Sequence, residues 1–170
     1  MSFLPKDYTA PSNNGGGGKY TKFEADVTTR LRIVSEAITG YGYWTADNKP
    51  IRSREYPQAT PNIREDSKIK HFWAVKIYNY TTKQIEVWEI TQASIRDLIM
   101  GFIQDEDFGD PQNFDMKVTK SGKGLETKYS VLPGTVKPPD SGIVAESETT
   151  LVNLEALYDG DNPFVADIPF

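Results

Sequence analysis

The chain has 170 residues, 24 acidic and 19 basic side chains, one His and no Cys. That length suffices for one domain with a real core plus tails. The composition excludes a disulfide scaffold, a thiolate zinc site, a thiol nucleophile and most His-built metal sites, and no apolar run nears the roughly 20 residues of a membrane span.

Residues 1–18 form a Pro/Ser/Asn/Gly leader ending in four glycines, with little to bury, and read as a flexible arm. They contain no apolar stretch of the kind a secretory signal needs, so a reducing cytoplasm is the expected compartment. Residues 19–137 hold all three Trp and nearly all the aromatic and β-branched residues, and read as the folded domain. Residues 138–170 open on Pro-Pro-Asp-Ser-Gly, carry seven acids and no base, and read as an acidic tail. Charge is therefore segregated: residues 1–137 carry 19 bases against 17 acids, and residues 19–96 carry 13 against 9.

Within the domain, 28–38 alternates like a strand, with Leu31 and Ile33 on one side and Arg30 and Arg32 on the other. Tyr41-Gly-Tyr-Trp44 extends or pairs with it, and 51–55 is a short strand. Residues 58–68 form a long exposed loop. The clearest strand is 71–80, with Trp73, Val75 and Ile77 on one face and Phe72, Ala74, Lys76, Tyr78 and Tyr80 on the other. A turn at 81–83 returns the chain through 85–90. Then the period changes: Ile95, Leu98, Ile99, Phe102 and Ile103 mark a one-sided helix, with Thr91 as its N-cap and a stop near Ile103. Strands at 114–119 and 127–132 flank a Ser-Gly-Lys-Gly turn. In the tail, Leu151, Leu154 and Leu157 have helical spacing, so a short conditional helix is expected there. The order predicts a mainly β fold: a five-stranded OB-fold-like barrel with one helix between strands, a flexible N-terminal arm and an acidic C-terminal tail. An SH3-like barrel and an α+β sandwich are the alternatives.

Aromatic and basic residues interleave over 30–80. Unpaired bases need flat side chains to stack on, and the flexible phosphate chain needs cations to follow. The candidate stacking residues are Tyr41, Tyr43, Trp44, Phe72 and Tyr78. The candidate phosphate contacts are Arg30, Arg32, Arg52, Arg54, Lys70 and Lys76. Trp73 and Trp88 are assigned to the core. The chain ends Asp167-Ile168-Pro169-Phe170, a ring and a carboxylate behind a stiff proline, which is a protein-docking element for an apolar pocket with a basic rim. As a tethered polyanion, the tail is expected to compete with DNA for the basic groove.

Three weaker signals are discounted. The acids at 105–115 lack the Gly and the closing Glu of a calcium loop. Ser121-Gly-Lys-Gly124 lacks the spacing of a phosphate loop. His71 has no second His or organised carboxylate for catalysis. No metal, no cofactor and no catalytic residue is predicted.

The final Asp-Ile-Pro-Phe resembles the tip of bacterial single-stranded DNA-binding proteins. The segments Arg30-Leu-Arg-Ile-Val-Ser35, Gly40-Tyr-Gly-Tyr-Trp44, Pro50-Ile-Arg-Ser53, Lys70-His-Phe-Trp-Ala-Val75 and Glu89-Ile-Thr-Gln92 together resemble a family of phage-encoded single-stranded DNA-binding proteins, over roughly residues 19–133. That resemblance implies an OB-fold, sequence-independent binding of single-stranded DNA, and a role in DNA replication, recombination or repair in the cytoplasm of a bacterial host. The zinc site of related large-phage helix-destabilising proteins has no ligands here. The expected partners are single-stranded DNA and, through the tip, replication, recombination or repair proteins, with no membrane. The rival reading is a non-enzymatic protein-interaction or assembly module built on a small β-barrel.

Overall fold

The computed structural model describes Phe3 and residues 19–165. The docking residues Asp167, Ile168, Pro169 and Phe170, and the arm apart from Phe3, lie outside the described residues.

The chain is mainly β. Strands β1 (Thr28–Ile33), β2 (Ile38–Trp44), β3 (Pro50–Ser53), β4 (Lys70–Asn79) and β5 (Gln84–Ile90) precede helix α1 (Ala93–Gln104). Strands β6 (Phe114–Ser121) and β7 (Lys128–Val136) follow it, then helix α2 (Ser141–Thr149) and a short 3-10 helix, Leu154–Asp159. All seven strands join one antiparallel sheet in the order β3-β2-β4-β1-β6-β7, with β5 on the remaining edge of β4. Among the described residues the sheet is open. The edge of β5 is taken by Lys19–Thr21, through Thr21 N–H to the Val87 carbonyl and Val87 N–H to the Lys19 carbonyl, both 2.9 Å. The mainly β class is as expected; where the sequence predicts a five-stranded OB-fold-like barrel, the described residues form a seven-stranded open sheet.

The strand expected over 28–38 stops at Ile33 for a local reason. β1 and β2 lie along one edge of β4, with Ile33 opposite Ile77 and Ile38 opposite Ala74. Four residues, 34–37, thus face two, Val75 and Lys76. The surplus bends the chain like a bulge. The Ser35 hydroxyl accepts the Lys76 N–H at 2.9 Å, so that amide keeps a partner across the bend. Further along β2, Gly40 is obligatory, because a Cβ there would meet the Ser53 carbonyl and sit 3.1 Å from the Phe72 ring.

Helix α1 forms where the period predicted it. Its N-cap is Gln92 rather than Thr91, and it makes no side-chain capping bond. Ile95 and Ile99 are buried, and Phe102 packs beside Phe108 and Phe114 in the main core with Leu31, Ile77, Trp88 and Met116. Trp88 is buried as expected, and Trp73 packs half-buried against the same core.

A second core lies on the other face of β4 and β5. Phe72, Ala74 and Val87 are covered there by Leu157, which is 1% exposed. Residues 138–165, read from the sequence as an acidic tail, lie across the sheet. Ile143 of α2 is buried, the Lys76 ammonium donates to the Ser147 carbonyl at 2.6 Å, and the Tyr158 hydroxyl donates to the Thr39 carbonyl at 2.6 Å. Phe164 bridges back to Val152 and meets the Tyr20 ring edge-on. This explains why β4 and β5 are buried on both faces. No helix among the described residues is long and apolar enough to cross a membrane.

Candidate nucleic-acid interface

Where the covering segment ends, the same sheet face opens into a groove of 620 Å³. Its floor comes from β2, β3 and β4, and its wall is the loop that returns from β3 to β4. Trp44, Arg52, Lys70 and Phe72 line it from the strands, and Arg64 and Lys68 line it from the loop.

The loop is fastened to Trp44 through the backbone. Trp44 N–H donates to the Ser67 hydroxyl at 2.8 Å, and the Trp44 carbonyl accepts the Arg64 N–H at 2.8 Å. The indole remains 44% exposed, with the Arg64 guanidinium 5.8 Å from its ring centre. Arg64 is ion-paired to Asp66, an exposed contact also on the groove wall, and donates to Asn48 at 3.2 Å, so its charge is partly offset while Lys68 and Lys70 carry the rest. A flat ring with a planar cation beside it is suited to a nucleobase and its phosphate. Lys68 and Lys70 are exposed and make no ion pair among the described residues.

The remaining sequence candidates divide by burial. Phe72 is 1% exposed beneath Leu157, and Tyr43 is buried, so neither offers a ring face to a base. Strand alternation places Phe72 outward. It does face outward from β4, but the covering segment seals it. Arg32, a predicted phosphate contact, is 1% exposed and fully engaged. It donates to the Gln112 carbonyl at 2.8 Å and the Lys137 carbonyl at 2.6 Å, and it pairs with Asp115. Arg52 lines the groove but is held by Glu89 in a two-pronged pair of 2.7 and 3.0 Å, which cancels its charge locally. Lys76 is capped by Ser147, and its partial burial pushes the ammonium pKa down.

Others lie apart from the groove. Tyr41 packs between Tyr56 and His71, with ring centres 5.3 and 5.0 Å away. Arg54 rests 4.3 Å over the Tyr158 ring and pairs with Glu155 at 3.6 Å, an exposed contact. At the far end of β4, Tyr78 meets Tyr80 edge-on at 5.2 Å, and Arg30 sits 4.4 Å over Tyr80 while paired to Asp115 at 2.6 Å. The groove thus unites Trp44, Lys70, Arg52 and two buried rings, and adds Arg64 and Lys68, which sequence reasoning passed over as loop. The only hint was three bases, Arg64, Lys68 and Lys70, within seven residues of a mixed-charge stretch.

Asp115 also controls a titration. Burial first, and then its hydrogen bonds to Asp115, 2.9 Å to each oxygen, together push the Tyr80 hydroxyl up to about 12. An unfolded tyrosine loses its proton at about 10. The stabilising contribution of Tyr80 is therefore complete below pH 10 and is lost as pH rises through 12. In an absorbance titration of tyrosinate, Tyr80→Phe is expected to delete a step near pH 12 that the parent shows.

Comparison of the chain with protein-family models, with curated proteins and with solved structures finds no match. The functional reading therefore rests on the residues themselves. Among the described residues no group of three or more His, Asp or Glu is placed to hold a metal ion.

Proposed function

We propose that this chain is a sequence-independent single-stranded DNA-binding protein. It coats exposed DNA during replication, recombination or repair, performs no bond chemistry, and recruits partner proteins through Asp167–Phe170. The observation that carries the reading is the groove: a half-exposed indole, fixed by its own backbone, ringed by Arg64, Lys68 and Lys70. A duplex hides its base faces, so a stacking ring inside a cationic groove suits an unpaired strand.

The connectivity supports an OB-type reading. Counted as one bent strand, β1 and β2 pair with β4 on one side and with β6 on the other, β4 pairs with β5, and α1 lies between β5 and β6. On that reading the strands and helix follow the OB order, with β3 an addition at the groove and the last closure unmade.

The test is a titration of the full chain with oligo-dT at low salt, reading tryptophan emission. Quenching is expected, with most of it lost in Trp44→Phe, and log K is expected to fall as log salt rises. No change in emission together with no retardation of a labelled strand would overturn the proposal.

A further inference from the structure

The other face of the sheet carries a second, chemically different concavity. Successive residues of a strand point to opposite faces. Phe72 and Glu89 line the basic groove, whereas their neighbours Trp73 and Ile90 line a cleft of 220 Å³ on the opposite face. Its floor is Ile33, Val75, Ile90 and Ile99, all nearly fully buried, and its mouth is half-buried Trp73 and Ile103, which is 42% exposed. At roughly 30 Å³ per water in the liquid, that volume is room for one large side chain. It opens between α1 and the bend at 34–37, where the sheet has no strand to cover the core.

The lips are acidic. Glu36 stands on the bend and Asp110 on the opposite lip. Residues 103–112, which join the mouth residue Ile103 to Asp110, contain Asp105, Glu106, Asp107 and Asp110 and no Lys or Arg. Glu36 and Asp110 at the lips, with the other acids close in sequence, disfavour phosphates, so the cleft is not read as a second nucleic-acid site. An apolar slot for one anchor residue within a negative field is complementary to a cationic peptide.

We propose that this cleft docks a partner protein through a short basic segment bearing one Leu or Phe anchor. The inference stands whether or not the opposite groove binds DNA. If it does, both surfaces can be occupied together, because they lie on opposite faces of β4 and β5.

The probe is an acetylated, amidated Lys-Lys-Ser-Leu-Phe-Ser-Lys-Lys peptide, titrated into the uniformly nitrogen-15-labelled full chain and followed by amide shifts. Saturable shifts are expected at Glu36, Ala37, Ile99, Ile103 and Gln112. A twin peptide with Glu in place of Lys is expected to leave these amides unmoved. Glu36→Lys and Ile103→Lys both change exposed residues and both place a like charge at the mouth, and each is expected to weaken the lysine peptide by up to about fivefold. Absence of shifts, shifts confined to the Arg64–Lys70 groove, or equal binding of both twins would overturn the proposal. Tighter peptide binding by a full-length Phe3→Ala/Leu4→Ala variant would overturn it too, because the chain's own N-terminus would then be the occupant.

Discussion

Replacing Trp44 by alanine is expected to weaken binding of a short oligo-dT by about 5- to 150-fold, the equivalent of the roughly 1–3 kcal/mol of one base stacked on an aromatic ring. The fold should survive the change. The indole is 44% exposed, and both its backbone bonds, to Ser67 and Arg64, remain in an alanine variant. Lys68→Glu/Lys70→Glu separates the electrostatic part. Each lysine that meets a phosphate contributes about 0.7 to the slope of log K against log salt for a single strand. The double variant should therefore flatten the slope by about 1.4, whereas Trp44→Ala should lower affinity at every salt and leave the slope alone. Fluorescence anisotropy at four or five salt concentrations reads both. Equal slopes in the lysine variant and the parent would remove Lys68 and Lys70 from the DNA path.

Arg52→Ala makes a useful contrast. Arg52 lines the same groove, but its charge is committed to Glu89 by two short bonds. Its removal strands a carboxylate in the groove. Affinity should fall by repulsion, and Arg52→Ala/Glu89→Ala should regain much of it. That recovery would mark Arg52 as a support for the groove rather than a phosphate contact.

These contrasts show which parts of the site were legible in the chain. Periodicity identified helix α1, the hairpin of β4 and β5, and the two faces of β4, because each depends on neighbours in sequence. It could not say what lies over a face. Phe72, Ala74 and Lys76 do share one side of β4, and alternation alone leaves that side open. What covers them comes from Ser147 and Leu157, more than 70 residues on, in a stretch whose acids and prolines look solvated. Arg32 misled for the same reason. An arginine beside Arg30 on alternating positions reads as surface, and only the carbonyls of Gln112 and Lys137 and the carboxylate of Asp115 make its burial tolerable. Trp44 was readable as a candidate, but the loop that holds it was not. Arg64 and Ser67 act through backbone bonds to Trp44, and mixed-charge loop composition carries no trace of those bonds.

The segment after Lys137 supplies the other large effect. Leu157→Ala should destabilise the protein by about 2–5 kcal/mol, the range for removing a fully buried leucine side chain when its surroundings relax only in part. For a chain of this size that lowers Tm by roughly 4–20 °C. The leucine is 1% exposed and is the lid on Phe72, Ala74 and Val87. Leu151→Ala, 55% exposed in the same segment, should change stability by no more than about 0.5 kcal/mol. Calorimetry on the pair distinguishes a packed layer from a solvated acidic tail, which would leave both variants like the parent. The same packing changes what truncation reports. A chain ended at Lys137 loses Ile143, Leu157 and Phe164 together and bares the second core, so it is expected to unfold early rather than simply to bind DNA more tightly.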